Sequence, residues 1–198
     1  YVVTKLIPGE DTVIEYNPKY LDETLISQSP TVALGQAKKE ILRMGEFAIQ
    51  GLEETMNYLK TSDKKSVAII EQLEEAINNL DRKSTDYLVK LSSQSLSAND
   101  SKVHNALLHN IRDIERVGDH VENIVDLITY KESHRIWFSD EAFDEIKEMY
   151  LLTMNTVKKA IEALEHQDHD LAKEVLKNEN EIDVMERQLR KLHIKRLN

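Results

Sequence analysis

The chain has 198 residues, no cysteine and a formal charge of −10, which excludes disulfides, thiolate metal sites and cysteine nucleophiles and disfavours nonspecific binding to nucleic acid or anionic lipid. With 40% hydrophobic and 31% charged residues, it can bury one sizeable core or two small ones. A mean hydropathy of −0.50 fits a soluble domain, and no stretch approaches the ~20 apolar residues of a membrane span.

Residues 1–30 read as an extended linker, because Pro8, Pro18 and Pro30 each remove a backbone donor and bias the preceding residue away from helix. A helical turn is expected around Tyr20 to Ile26. Five long helices are predicted after Pro30, at about 31–60, 64–95, 100–131, 140–166 and 169–197. Their breaks carry capping oxygens in Thr61-Ser62-Asp63, Asn99-Asp100, Ser139-Asp140 and Asp168. Long helices with short connections pack antiparallel, so the fold class is all-α, built of helix bundles. Trp137 and Phe138, between the third and fourth helices, are expected to plug a bundle junction.

The chain repeats itself at an offset of 105 residues, which pairs Ile41 with Ile146, Met44 with Met149, Leu59 with Leu164, Asp63 with Asp168 and Ile77 with Ile182. One complete three-helix bundle is therefore expected over 31–132. A second copy over 133–198 is expected to be incomplete, with two helices and its last one missing. The uncovered seam of that copy, Val175, Ile182, Met185, Leu189 and Leu192, predicts a homo-oligomer.

The third helix carries the most chemistry. Leu107, Ile111, Ile114, Gly118, Val121, Val125 and Ile128 recur at steps of four and three, forming one apolar seam. Glu115, Asp119, Glu122 and Asp126 each follow a seam residue, so four carboxylates share a stripe about 100° round the helix from it. Like charges at this spacing repel; either water solvates the stripe or a cation reverses the repulsion. The second helix repeats the offset with Glu74, Asn78 and Asp81, and the fifth with Glu179, Asp183 and Glu186. Antiparallel packing would bring Glu74, Asp81, Glu115 and Asp119 around one cation. Oxygen donors favour Mg, Ca or Mn, with iron possible where carboxylates bridge. Asn123, four residues after Asp119, is placed to ligate or to hold a water, while Arg112 and Arg116 are expected to pair with local carboxylates.

Ile114-Glu115-Arg116-Val117-Gly118-Asp119-His120, followed by Asn123-Ile124, resembles the signature of the PhoU family of phosphate-regulation proteins. The family's Glu/Asp-x-x-x-Asp metal motif matches Glu115 to Asp119 and Glu179 to Asp183. Glu74 to Asn78 departs from it, which makes Asp81 the better donor there. The resemblance implies PhoU-like bundles and metal ligands Glu74, Asp81, Glu115, Asp119, Glu179 and Asp183. Asn78, Arg116, His120 and Asn123 are the expected outer partners, and the metal is a divalent or trivalent ion such as iron or zinc.

The sequence offers no glycine-rich phosphate loop, no nucleophile and base at recognisable spacing and no His-Glu-x-x-His motif, so no enzyme is expected. The proline-punctuated start resembles the cytoplasmic tail of a bacterial sodium-dependent phosphate symporter. That implies a transmembrane transporter domain upstream as partner, with this domain on the cytoplasmic side modulating phosphate uptake and not itself entering the membrane. A stand-alone adaptor coupling a transporter to a sensor kinase, and a metal-free helical scaffold, remain open.

Overall fold

A computed structural model describes residues 14–197. Of the expected linker over 1–30, residues 1–13, with Pro8, lie outside them. A short α1 (Thr24–Gln28) is followed by α2 (Pro30–Thr61), α3 (Lys64–Leu91), α4 (Ala98–Ser133), α5 (Asp140–His166) and α6 (His169–Leu197). The described residues are thus all-helical, as expected. None of these helices is long and apolar enough to cross a membrane.

Local chemistry sets the boundaries. Pro30 opens α2 at a position where its missing amide costs nothing. Asp63 starts α3 by accepting from Lys65 N at 3.0 Å, Ser139 starts α5 by accepting from Ala142 N at 3.2 Å, and Asp168 starts α6 by accepting from Asp170 N and Leu171 N at 2.9 and 3.0 Å. Two ends differ from the expectation. α3 stops at Leu91 because Ser92 and Ser93 turn their hydroxyls onto the carbonyls of Val89 and Lys90, both at 2.7 Å. α4 starts earlier than expected because Ser97, not Asn99, is its cap, accepting from Asp100 N at 3.1 Å.

α2, α3 and α4 pack mutually, while α5 packs on α2 and α6. The seam predicted for α4 is buried along its whole length, from Leu107 to Ile128. Its Leu107, Ile111 and Ile114 meet Ile41, Met44 and Ala48 of α2 and Ile77, Leu80 and Leu88 of α3 in one core, and its Val121, Val125 and Ile128 join Leu52, Tyr58 and Ile70 in a second. Each large side chain buried there contributes roughly 1.5–3 kcal/mol. Gly118 earns its place by close approach, since a Cβ at that position would stand 3.3 Å from Ile77 Cδ1. His104, which no sequence pattern singled out, is a core residue bonded to the Leu88 carbonyl at 2.8 Å.

α5 rests on α2 through Ile161, which lies over Gly45, and through Tyr150, whose hydroxyl donates to the Leu52 carbonyl at 2.8 Å. Burial pushes that hydroxyl up to about 12. α6 packs on α5 alone among the described helices. On it Val175, Ile182, Met185 and Leu189 are half-buried, while Leu176, Val184, Leu192 and Ile194 are exposed.

The segment before α1 is extended but not free. Ile14 packs on Leu73 and Ala76, Asn79 Nδ2 donates to the Tyr16 carbonyl at 2.7 Å, Tyr87 Oη donates to the Asp22 carbonyl at 2.9 Å, and Lys90 pairs with Glu23 at 2.6 Å. The strap runs parallel to α3, its extended rise of about 30 Å matching about 27 Å of helix. Its clamp is Glu40, fully buried on α2. One carboxylate oxygen accepts from Lys19 N and Tyr20 N at 2.8 Å each, and the other pairs with Arg43 at 2.6 Å.

Trp137 does not plug a junction. It is 82% exposed, with Phe138 and Ile136 also open, because α4 and α5 both flank α2 without meeting each other.

Candidate acidic site on the helix pair α3 and α4

The acidic line lies where α3 and α4 pack side by side. Each of its members follows a buried seam residue, so it emerges at the edge of the helix interface, where Glu74, Asp81 and Glu115 are half-buried and Asp119, Glu122 and Asp126 are exposed. Glu74 faces Glu122 and Asp119 across that edge, while Asp81 faces Glu115. Glu74 and Asp81 are seven residues apart, about 10 Å along the helix. The carboxylates therefore form two tiers and do not close around one point. Among the described residues, no three His, Asp or Glu side chains converge as a ready-made metal shell.

The electrostatics carry the mark of that crowding. Burial, then the charge of Glu122, holds the Glu74 carboxyl above its ordinary value, with Asp119 and Glu75 adding to the effect against a hydrogen bond from Asn78. Burial, then Asp119 and Asp81, likewise raises Glu115 against the opposing charge of Arg116. Both groups favour protonation in the fold, so their contribution to stability is present at acid pH and is lost as pH rises through their raised values. Replacing Glu74 with Gln removes this liability. The stability difference, variant minus wild type, is expected to grow in the variant's favour between about pH 4 and pH 7. Melting curves of both proteins in chelator across that range check it.

The other expected site residues divide. The Asn78 amide donates to Glu74, so it bridges within α3 and its own oxygen stays available. Asn123 donates to the Asp119 carbonyl at 2.8 Å, a bond along its own helix. Arg116 lines a cleft of about 560 Å³ with Asp81, Arg82, Thr85, Asp86, Arg112 and Glu115. His120 turns instead into an apolar groove between α4 and α5, beside Val117, Ile124 and Tyr150. Glu179 and Asp183 are exposed on α6, which does not touch α3 or α4, so they belong to a separate face. Glu122 was visible in the stripe yet left out of the ligand set; its place after Val121 was the signal. Arg82 had no signal in sequence, because only the packing of α3 on α4 brings it to Arg112 and Arg116.

As a donor set, carboxylates in two tiers suit a hard or borderline cation, and the raised Glu74 and Glu115 are the groups such a cation would relieve. The residues present therefore fit a cation in their chemistry.

The PhoU domain pattern matches this chain twice, at residues 41–128 and 146–198, with starts one repeat length apart. The YjbB protein of Salmonella typhimurium, whose name proposes inorganic phosphate export, is 23% identical over 191 residues, covering 96% of this chain and 34% of that protein. The chain thus spans about a third of the length of that relative. A phosphate-specific transport system accessory protein, PhoU homolog 1 of Thermotoga maritima, is 23% identical over 170 residues, covering 81% of this chain and 68% of that protein. A PhoU homolog of Xylella fastidiosa is 32% identical over 91 residues, covering 46% of this chain and 38% of its own. No solved structure gives a significant match. With the domain pattern covering more than half of its length, the chain belongs to the PhoU family.

Proposed function

We propose that this chain is the regulatory domain of a phosphate transporter, joined through its N-terminal strap to a membrane-embedded transport domain, and that cation binding on its acidic helices modulates phosphate movement. The observation that carries the reading is the match to YjbB, which takes in nearly all of this chain but about a third of that protein. The remainder of that relative leaves room for a transport domain. Its name points to export, where the resemblance to a symporter tail implied uptake, so the proposal concerns control of phosphate flux in whichever direction the transport domain runs.

Glu74, Asp119 and Glu122 would hold a cation in one tier, and Asp81 and Glu115 in the other, with Glu179 and Asp183 serving a separate face. When bound, the cation supplies positive charge that neutralises the line. The chain's own residues do the rest: Asn78 steadies Glu74, Arg116 balances Glu115, and the buried seam keeps α3 and α4 in register. The half-open face of α5 and α6 is the proposed site of self-association, which light scattering over a range of concentrations would reveal.

A stand-alone adaptor is the second reading, favoured by the match to PhoU homolog 1 over 68% of that protein. The coding sequence upstream of Tyr1 separates the two. Transmembrane helices there support the transporter domain, and a start codon there supports the adaptor. Phosphate flux in cells carrying the uninterrupted gene tests the regulation: Glu115→Gln with Asp119→Asn is expected to change flux without lowering the amount of protein, and unchanged flux would refute it.

A further inference from the structure

α4 and α5 both lie along α2 without meeting each other, and a groove runs between them. Val103, Ala106, Asn110, Val117, His120 and Ile124 form its α4 wall, on a line beside the buried seam. Ile146, Met149, Thr153, Val157, Ala160 and Leu164 form its α5 wall, and α2 contributes Leu52 and Lys38. One end is open over about 510 Å³ and the other over about 410 Å³. From Val103 to Ile124 the groove follows about 30 Å of helix, or about six turns.

The 105-residue repeat identifies what belongs there. Ile146, Met149, Thr153 and Val157 are the counterparts of Ile41, Met44, Ala48 and Leu52 of α2. All four of those are buried, in the two cores to which α4 contributes its seam. Their counterparts on α5 are only half-buried and line the groove. The other faces of α5 are already matched. Gly51 and Leu73 line one small void in the first unit, and their counterparts Thr156 and Asn178 are hydrogen-bonded at 3.2 Å, so α6 takes the place of α3. Gly45 of α2 meets Ile161, and its counterpart Tyr150 meets Leu52, so the two units touch through equivalent faces. The face that α4 covers in the first unit is therefore the one left open in the second. The PhoU pattern divides the same way: its match at 41–128 takes in most of α4, whereas its match at 146–198 takes in α5 and α6 alone.

We propose that the groove seats a third helix of the second unit, amphipathic on the pattern of α4 and carried by the same polypeptide beyond Asn198. Neither the cation nor the transport domain enters into it. Such a helix packs its seam on Met149, Thr153 and Val157, as Leu107, Ile111 and Ile114 pack on α2, and turns a second apolar line to Val117 and Ile124 of α4. A repeat unit cannot bury its apolar face alone, and the first unit shows which element buries it. An apolar groove of this length, walled by two helices, suits a third helix; a compact ligand would cover one end of it.

The coding sequence downstream of Asn198 is read first. The expected result is a run of apolar residues at steps of four and three, as long as that from Leu107 to Ile128. A stop codon before such a run, or a downstream sequence without that spacing, overturns the proposal. Met149 then reports on the groove in solution, because it is half-buried in the wall while its counterpart Met44 is fully buried in the first unit. Oxidation by peroxide, read residue by residue by mass spectrometry, compares Tyr1–Asn198 with the same chain extended through the downstream segment. In Tyr1–Asn198, Met149 is expected to oxidise while Met44 resists. In the extended chain, the sensitivity of Met149 is expected to be lost, to the level of Met44. Equal oxidation of Met149 in the two proteins overturns the proposal. So does protection of Met149 in Tyr1–Asn198 that grows with protein concentration, which gives the groove to a second copy of this chain.

Discussion

Glu40→Ala is expected to destabilise the fold by about 3–5 kcal/mol and to open residues 14–23 to proteolysis. The carboxylate is fully buried and meets every one of its partners at hydrogen-bonding distance: two strap amides at 2.8 Å and the Arg43 guanidinium at 2.6 Å. Removing it leaves the charge of a guanidinium that is 11% exposed without its counter-ion and two backbone amides without their acceptor, and each such loss costs far more than the bond itself gave. Arg43 also donates to the Glu15 and Asn17 carbonyls at 2.8 and 2.6 Å, and Glu40→Ala removes the carboxylate that orients it there. Glu40→Gln keeps an acceptor for the amides and is expected to cost less. Denaturant unfolding gives the energies, and limited proteolysis locates the released segment. Equal protease resistance in wild type and Glu40→Ala would show that Ile14, Tyr87 and Lys90 hold the strap without the clamp.

Gly45→Val is expected to detach the α5–α6 pair from the three-helix bundle, at a cost of about 1–3 kcal/mol or more. A Cβ on Gly45 would stand 2.6, 3.1 and 3.3 Å from Cδ1, Cγ1 and Cγ2 of Ile161. Turning the Ile161 tip relieves only the first of these. α5 touches the three-helix bundle through α2 alone, so the shift is transmitted to the whole pair. The polar ties are Tyr150 to the Leu52 carbonyl at 2.8 Å, Lys158 to Glu53 at 2.5 Å and Lys38 to the Glu165 carbonyl at 2.9 Å, beside the apolar packing of Leu164, Met154 and Val157. Unfolding of the variant is expected to split into two transitions. Gly35→Ala is the control; nothing lies within 4 Å of its added carbon, and it is expected to stabilise α2 by up to about 1 kcal/mol.

The helices were legible because their signals are local. The seam from Leu107 to Ile128 obeys a period that no tertiary contact had to supply, and Asp63, Ser139 and Asp168 cap the helices they were expected to cap. The end of α3 was misplaced because Ser92 and Ser93 look alike in sequence whether they continue a helix or close it. The strap was read as a bare linker, since Glu40 sits twenty residues away and a lone buried carboxylate has no sequence mark. Trp137 was read as a plug on the general tendency of large apolar residues to be buried; its exposure follows from the separation of α4 and α5, a fact of packing alone. The acidic line shows the same division. Its angular offset on each helix was plain, but the tiering of Glu74 with Asp119 and Glu122, apart from Asp81 with Glu115, depends on the register between α3 and α4.

That register makes the cation the point on which the functional reading turns, and the melting temperature of chelator-treated protein tests it. Fe, Zn, Mn and Mg are added singly to wild type and to Asp119→Asn. At least one ion is expected to stabilise the wild type, by about 2.7 kcal/mol when present at 100 times its dissociation constant, and to stabilise Asp119→Asn less. If none of the four raises the melting temperature, and Asp119→Asn stabilises the protein equally with and without metal, the acidic line is a solvated face and the account is wrong.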